Sequence, residues 1–329
     1  MMNENLQQKL ELFVSNVNGI KKSFPWQEPM VKRLASLIYA LEGQEMNATA
    51  VVKQHRTIKD SVSAFSTFRG NLSVLIAAML SLAKNPRERF ADTQEVYRLL
   101  KAEKFRTSDY LVAAAYEIAS QANRADFPAV IRRMREIFLA MRSNNRFLIG
   151  ADDYIYAAML ALAGLDADDA AEKVRRMYEL LRADFPFLTS RSCLLHLAQI
   201  MVLGERKEQC VSNLIHMNRI LREHKIRLDK SMVLPSLGVL AAFVNDPHKL
   251  AAEITASVNF IRTQKGFGAF SVMSQEINMY AVALISTNHL AATATSTMVT
   301  NLLIAQQTAM MVAMITATQV ASQSAAAGC

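Results

Sequence analysis

The sequence predicts an all-α protein built from about seven helical hairpins. Three observations support this prediction: helix-forming residues dominate the composition, runs of alternating β-branched and polar residues are absent, and one motif returns about every forty residues. Of 329 residues only 10 are Gly and 7 are Pro, while Ala, Leu, Met, Gln, Glu, Lys and Arg are abundant. Those side chains lose little rotamer freedom in a helix. The apolar fraction of 51% supplies ample material for a core.

The repeat is marked by a bulky apolar residue after each longer helix. Successive markers lie 39 to 42 residues apart: Phe24, Phe65, Phe105, Phe147, Phe187, Ile226 and Phe267. A polar loop, a helix rich in small residues, a turn and a longer, more charged helix follow each marker. Two helices in about forty residues are typical of a HEAT-type repeat. Because one hairpin cannot bury its apolar stripe alone, the units are expected to stack as a HEAT-like α-solenoid or α/α superhelix, with a closed α/α toroid as the alternative.

The elements start with a single helix near Asn5–Lys22. Six pairs follow between Trp26 and Phe267, and a last pair starts near Ser271. Within the pairs, small-residue helices are predicted at Leu111–Ala119, Ile155–Ala163, Leu194–Leu203 and Val233–Val244, and longer charged helices at Glu172–Leu181 and Gln209–Arg222. This organisation indicates one repeat domain over residues 1–288 and an Ala/Met/Thr-rich helix and tail over 289–329.

The tail is unusual because no Asp, Glu, Lys or Arg occurs after Glu276. Helices that are apolar nearly all round usually pack inside protein. We therefore expect the tail to dock on the array, filling its concave face or closing it, or to pack in a dimer. Membrane association through the tail is the alternative, since its length would span a bilayer. Polar residues such as Gln306 and Gln307 interrupt that span.

The compartment expected from the sequence is the cytoplasm. The N-terminus lacks the basic and apolar regions of a secretory signal. The three cysteines, Cys193, Cys210 and Cys329, form no disulfide-like framework. The net charge of +8 comes from basic residues spread over most of the chain, so charge alone does not indicate a nucleic-acid protein.

The pair Asp152–Asp153 precedes a small-residue helix, and Ser108–Asp109 occupies the matching place one repeat earlier. Ser and Asp are favoured at helix N-termini, where their oxygens accept from unpaired N–H groups. We therefore interpret these acids as helix caps. Tyr110 and Tyr154 follow in phase and suggest a repeated packing position.

No catalytic or metal-binding motif is complete in the sequence, so no catalytic residue, cofactor or metal ligand is assigned. The segment Leu165–Glu172 lacks the Gly and the spaced Glu of a calcium loop. A set of Cys193, His196, Cys210 and His216 is rejected because Cys210 and His216 face apart on one helix. Nucleophile-elbow, Walker and dinucleotide-binding motifs are absent.

A cation recurs four or five residues before the markers, at Lys101, Arg142, Arg182, Arg222 and Arg262. This position compensates the C-terminal end of each longer helix. The functional alternative is a basic strip for an acidic partner. With a single Trp and marker Phe residues expected to be buried, there is little aromatic interleaving for nucleic acid. The glycines of Lys265–Phe270 indicate a tight turn or hinge.

Several segments together resemble a known family: SFPWQEPMVKRLASLIYA, FSTFRGN, FRTSDYLVAAAYEIA, GADDYIYAAMLALAG, LPSLGVLA, QKGFG and IAQQTAMMVAMITA. They are similar to the bacterial domain of unknown function 4003 family over nearly the whole chain. This resemblance implies a bacterial, cytoplasmic, helical protein and leaves its function open.

The function expected from the sequence is a non-catalytic scaffold for a protein or peptide partner. Its expected contact positions are Arg69, Asp109, Asp152, Asp153 and Lys265. One alternative is an α/α-toroid enzyme with an acidic pocket lined by Tyr110 and Tyr154. The other is a peripheral membrane protein acting through the tail. Homo-oligomerisation is left open, and nucleic acid is disfavoured.

Overall fold

The computed structural model describes residues 3–70, 72–144, 148–185, 190–204, 210–229, 233–241, 246–292 and 315. Within these residues the regular structure is helical, without strands. The fourteen α-helices of this part are α1 (Glu4–Ile20), α2 (Pro29–Leu41), α3 (Ala48–Ser61), α4 (Ser73–Leu82), α5 (Pro86–Ala102), α6 (Asp109–Gln121), α7 (Phe127–Asn144), α8 (Tyr154–Leu162), α9 (Ala167–Asp184), α10 (Arg191–Leu203), α11 (Cys210–Glu223), α12 (Leu234–Leu240), α13 (Pro247–Thr263) and α14 (Ser274–Ala292). The all-α prediction is confirmed.

The order of helices follows the predicted repeat. α1 is the leading helix, and the six predicted pairs run from α2 and α3 to α12 and α13. α14 is the first member of the last predicted pair. Its continuation lies outside the described residues except at Ile315, and the predicted boundary after residue 288 falls within α14. The repeat spacing therefore located the helices well along most of the chain.

Two kinds of helix alternate in the array. We call the even-numbered helices inner and the odd-numbered helices outer. All seven residues of α12 are buried, whereas α5 buries only Phe90, Thr93, Val96 and Leu100 on one face. Inner helices contact one another, as α2 does with α4, α6 with α8, and α10 with α12. A helix that is apolar on every face needs cover on both sides, so the inner helices form the core.

The first two helices, α1 and α2, contact the last described part of the chain. Arg33 Nε on α2 donates to Glu276 Oε1 on α14 at 2.7 Å, and the Tyr280 hydroxyl donates to the same oxygen. The Phe13 ring of α1 lies 5.7 Å from the ring of Phe267 and 5.0 Å from that of Tyr280. Residues about 250 positions apart in the sequence thus share one buried cluster.

One predicted repeat marker is wrong. Phe65 is 101% exposed, and its neighbour Phe68 is the buried residue at 5%. A short 3-10 turn, Thr67–Arg69, follows α3 and carries the Phe68 ring against Phe90 and Tyr97. The markers Phe24, Phe105, Ile226 and Phe267 are buried as expected, while Phe147 and Phe187 lie outside the described residues.

The tail contributes one described residue, Ile315, which is helical and buried in the main hydrophobic core. The rest of the predicted docking segment lies outside the described residues, so its docking stays a prediction. Among the helices described, none combines the length and apolarity needed to cross a bilayer.

The contact between α10 and α12 depends on a glycine. A Cβ atom added to Gly238 would lie 2.7 Å from Leu197 Cδ1 and 3.2 Å from Ile200 Cγ2. We expect Gly238→Val to lower the free energy of unfolding by about 2 kcal/mol, because overpacking forces both helices apart. Urea denaturation measures this loss. Gly268→Val is the matched control, since no atom lies within 4 Å of its Cβ position; equal losses in both variants would contradict the close-packing argument.

Candidate metal centre

The loops that precede the inner helices cap them in different ways. Before α6, Ser108 Oγ accepts from Leu111 N at 3.1 Å, which is the predicted cap. Asp109 is half-buried beside it, and burial raises the pKa of its carboxyl. Before α10, Ser190 Oγ accepts from Cys193 N at 3.5 Å.

The two acids before α8 depart from this pattern. They belong to a short 3-10 turn, Ala151–Asp153, and Asp153 is the N-cap residue of α8 but makes no capping hydrogen bond to it. Its Oδ2 accepts instead from Gly150 N at 2.8 Å. Asp152 Oδ2 accepts from Ser192 Oγ on α10 at 2.9 Å. The cap interpretation therefore holds only for the 3-10 turn, which Asp153 Oδ2 caps. The remaining contacts, from Asp152 Oδ2 to Ser192 and from Asp153 Oδ1 to Gln199, reach the next hairpin instead.

Helix α10 presents a polar face to these carboxylates. Ser192, His196 and Gln199 are spaced i, i+4 and i+7, so they lie on one side of the helix. His196 Nε2 lies 3.4 Å from Asp152 Oδ2 and 3.6 Å from Asp153 Oδ1. Gln199 Nε2 donates to Asp153 Oδ1 at 2.8 Å. Two consecutive repeats thus supply one polar cluster within the core.

Tyr156 of α8 covers the imidazole. Its ring stacks on that of His196, with centroids 4.6 Å apart and planes 23° apart. Both residues are buried. Among the described residues, Tyr156 Oη, His196 Nε2 and Gln199 Oε1 have no hydrogen-bond partner. Buried polar atoms rarely lack a hydrogen-bond partner. These three atoms are therefore available to bind a further group.

Burial and charge shift the two carboxyls in opposite directions. Desolvation raises the pKa of the completely buried Asp153 to about 6, and repulsion from Asp152 adds to this effect. Burial also acts to raise the pKa of Asp152, but the nearby His196 imidazole and the Ser192 hydroxyl outweigh it and hold that pKa below its ordinary value. Divergent pKa values in adjacent carboxyls are a feature of functional sites.

The geometry of the cluster suits a metal ion. One ligand atom each from Asp152, Asp153 and His196 lie within 4.8 Å of one another. Ligand atoms around a tetrahedral ion with bonds of 2.0–2.1 Å are about 3.4 Å apart, close to the nitrogen–oxygen separations in this cluster. Two carboxylate oxygens and one imidazole nitrogen suit a transition ion such as Zn²⁺ or Mn²⁺ better than Ca²⁺, which takes six to eight oxygens.

The cysteines take no part in this ligand set. Among the described residues, the only group of three or more close metal-binding side chains is that of Asp152, Asp153 and His196. Neither Cys193 nor Cys210 belongs to it. Burial raises the pKa of the Cys193 thiol. His216 is exposed, with its Nδ1 2.9 Å from Arg219 Nη2. The set of two cysteines and two histidines that the sequence analysis rejected does not form a cluster in the described structure. Its member His196 lies instead beside Asp152 and Asp153.

The other predicted site residues lie elsewhere or at the margin. Tyr154 packs against Phe105, and its hydroxyl accepts from Arg106 N at 3.3 Å. Tyr110 is buried on α6, close enough to Tyr156 to affect it electrostatically.

Arg69 and Lys265 are exposed on loops. The Arg69 guanidinium donates to Val62 O at 3.3 Å and to Lys59 O. Of the seven predicted site residues, the structure joins only Asp152 and Asp153 in the metal-ligand set.

Sequence reasoning missed Ser192, Gln199 and Tyr156 and did not join His196 to the acids. One signal was available: in SCLLHLAQ, Ser192, His196 and Gln199 are the polar interruptions of an apolar helix, and they share one face. Their pairing with acids forty residues earlier depends on how the hairpins stack, which the spacing does not specify.

The helical hairpins and the enclosed carboxylate–histidine cluster define a helical-repeat protein with a polar centre between two repeats. The family model described as Protein of unknown function (DUF4003) matches residues 16–321, and the chain belongs to this family. No curated protein matches the chain. No solved structure matches it either.

Proposed function

We propose that this protein binds one divalent transition-metal ion through Asp152, Asp153 and His196. The observation that carries the proposal is the convergence of three ligand atoms from two repeats, one of them a buried imidazole nitrogen without a hydrogen-bond partner. Ser192 and Gln199 would orient the carboxylates, and such supporting hydrogen bonds are common around metal ligands.

Three protein ligands leave a coordination position for water or a substrate, as in catalytic zinc sites. The proposal therefore favours the enzyme alternative over a purely structural ion. The α/α-toroid form of that alternative is supported by the contacts of Arg33 and Phe13 with α14 and Phe267, which join the two ends of the array. We place the protein in the cytoplasm, since Cys193 and Cys210 are free thiols in the described part.

The test is metal binding by the full chain after removal of adventitious metal. We expect one Zn²⁺ or Mn²⁺ per chain by calorimetry and a matching increase in thermal stability. At a free concentration 100 times the dissociation constant, the ion should add about 2.7 kcal/mol to the free energy of unfolding. Binding should weaken below about pH 6, because protonation of Asp153 removes a ligand.

Asp152→Asn and His196→Gln should abolish this stabilisation. Asp109→Asn is the matched control, because it removes a half-buried carboxylate at the corresponding place of the preceding repeat. Circular dichroism checks that each variant is folded. Stoichiometric binding by folded Asp152→Asn and His196→Gln proteins, or none by the natural chain, would reject the site.

A second candidate is the sequence-based scaffold for an acidic protein or peptide. It is favoured by the basic strip, since Lys101, Arg142, Arg182 and Arg222 are exposed in the last turns of α5, α7, α9 and α11. Arg222 also pairs with Asp229 at 3.4 Å. Asp153 is buried, so a partner would contact the strip and the exposed Arg69 and Lys265. Capture of one defined protein by the full chain, lost when the strip is changed to Gln, would support this role.

A further inference from the structure

Three loops each present one aromatic side chain to solvent. Trp26 is 99% exposed between α1 and α2, Phe65 101% between α3 and α4, and Phe270 109% between α13 and α14. Met273 is 64% exposed beside Phe270. Exposed aromatic side chains mark an interaction site when they are grouped on one surface.

Each of the three loops also has a buried aromatic residue two or three positions away. Phe24, Phe68 and Phe267 are buried, and they anchor the loops against His55, Phe90 and Phe13 respectively. The loops are therefore held by one aromatic ring while the other ring points away from the protein. The exposed rings therefore belong to loops that are packed against the core.

The loops lie at the same end of neighbouring hairpins. Each connects an outer helix to the following inner helix, and the starts of α2 and α14 are joined by the Arg33–Glu276 contact at 2.7 Å. α2 also contacts α4, which follows the Phe65 loop. We call Trp26, Phe65, Phe270 and Met273 with their loops the aromatic rim.

Positive charge surrounds the aromatic rim. The exposed cations in and beside its loops are Lys21, Lys22, Lys59, Arg69 and Lys265, and the exposed acids are Glu28 and Asp60. The local excess is three positive charges, from five cations and two acids. The surface thus combines protruding aromatic rings with a basic border.

We propose that the aromatic rim binds the surface of an anionic lipid bilayer. Trp and other aromatic rings partition into the interfacial region of a membrane, and Lys and Arg side chains are attracted by anionic headgroups. Separate projecting rings on three loops suit an extended surface better than a single pocket. The rim differs from the C-terminal tail considered above, and the proposal is independent of the metal centre.

Trp26 makes the test direct because it is the single Trp of the chain. The full chain is mixed with vesicles of phosphatidylcholine alone or with phosphatidylglycerol added. We expect co-sedimentation with the anionic vesicles, and a blue shift of Trp26 fluorescence as its ring leaves water. Raising the salt concentration should weaken binding, since headgroup attraction is screened.

Variants assign the binding to the rim. Phe65→Ser with Phe270→Ser should lower the partition coefficient about tenfold or more, and Lys21→Gln with Lys22→Gln about 30-fold. Matched controls remove an exposed apolar residue from the side of α7 (Leu139→Ser) and an exposed cation from the loop between α4 and α5 (Lys84→Gln). These controls should bind as the natural chain does.

Several results would overturn the proposal. One is the absence of both co-sedimentation and a Trp26 shift; another is equal binding to neutral and anionic vesicles that survives the rim changes. Concentration-dependent dimerisation that is lost in the Phe65→Ser, Phe270→Ser protein, without vesicle binding, would assign the rim to a second copy. Saturable binding of an acidic protein to the rim, again without vesicle binding, would assign it to a protein partner.

Discussion

Replacement of Glu276 by Gln is expected to lower the free energy of unfolding by about 3 kcal/mol, because it leaves the Arg33 guanidinium charged and without its carboxylate in the core. The side chains of Arg33 and Glu276 are only 11% and 5% exposed. The Tyr280 hydroxyl donates to the same carboxylate oxygen and would lose a charged acceptor. Urea denaturation at neutral pH measures the change as a lower midpoint at an unchanged slope.

Two further variants test whether the loss of stability comes from the unpaired Arg33 charge. Arg33→Gln combined with Glu276→Gln should recover part of the stability, because no uncompensated charge remains. Glu95→Gln is the control: Glu95 pairs with Arg98 on the surface of α5, and its loss should leave the denaturation midpoint unchanged. A midpoint for Glu276→Gln equal to that of the control would mean that α2 and α14 are not held together by this pair.

Replacement of Asp153 by Asn is expected to stabilise the metal-free protein by about 3 kcal/mol at about pH 7.5. The pKa of this carboxyl is about 6 in the folded protein against 3.8 for the ordinary group. Ionisation of Asp153 therefore lowers the free energy of unfolding. The cost is absent below pH 4 and complete above pH 6, so the gain from Asn should vanish near pH 4.

The new side chain can keep the local hydrogen bonds. Its oxygen can accept from Gly150 N, as Asp153 does at 2.8 Å. Its NH₂ group can donate to Gln199 Oε1, which has no partner among the described residues. This bond requires the side-chain amide of Gln199 to rotate by about 180°, so that its oxygen faces the new asparagine.

The measurement is urea denaturation at both pH values in the presence of a chelator. Asp152→Asn should change the free energy of unfolding in the opposite direction. Burial acts to raise the pKa of the Asp152 carboxyl, but His196 outweighs it and holds this pKa below the ordinary value. That carboxylate contributes stability above its unfolded pKa, and this stability is lost as the pH falls. A stabilised Asp153→Asn protein that no longer binds metal would show that the acid is kept for binding at a cost in stability. Destabilisation at about pH 7.5 would contradict the pKa shift.

The helices were the most predictable part of the structure. α1 and the six pairs follow the predicted order because the apolar periodicity and helix-forming composition extend through every repeat. The marker Phe65 failed because spacing alone cannot choose between two aromatic residues three positions apart. A 3-10 turn buries Phe68 instead.

The candidate site was only half predictable. Asp152 and Asp153 stood out because they double an acid at a repeated position. His196, Gln199 and Tyr156 look like ordinary residues of apolar helices, and their role appears only when α8 and α10 are packed together.

By itself, the sequence determined that this chain is helical, that its helices come in pairs, and where most of those pairs begin and end. These properties depend on local propensity and on the period of apolar residues, which are both written along the chain. The tertiary structure decided which side chains meet, as Arg33 does with Glu276 and His196 with Asp152 and Asp153. It also decided which aromatic rings are left in solvent, namely those of Trp26, Phe65 and Phe270. Such contacts depend on the rotation and stacking of whole hairpins, and small rotations of packed helices change them without altering the local pattern.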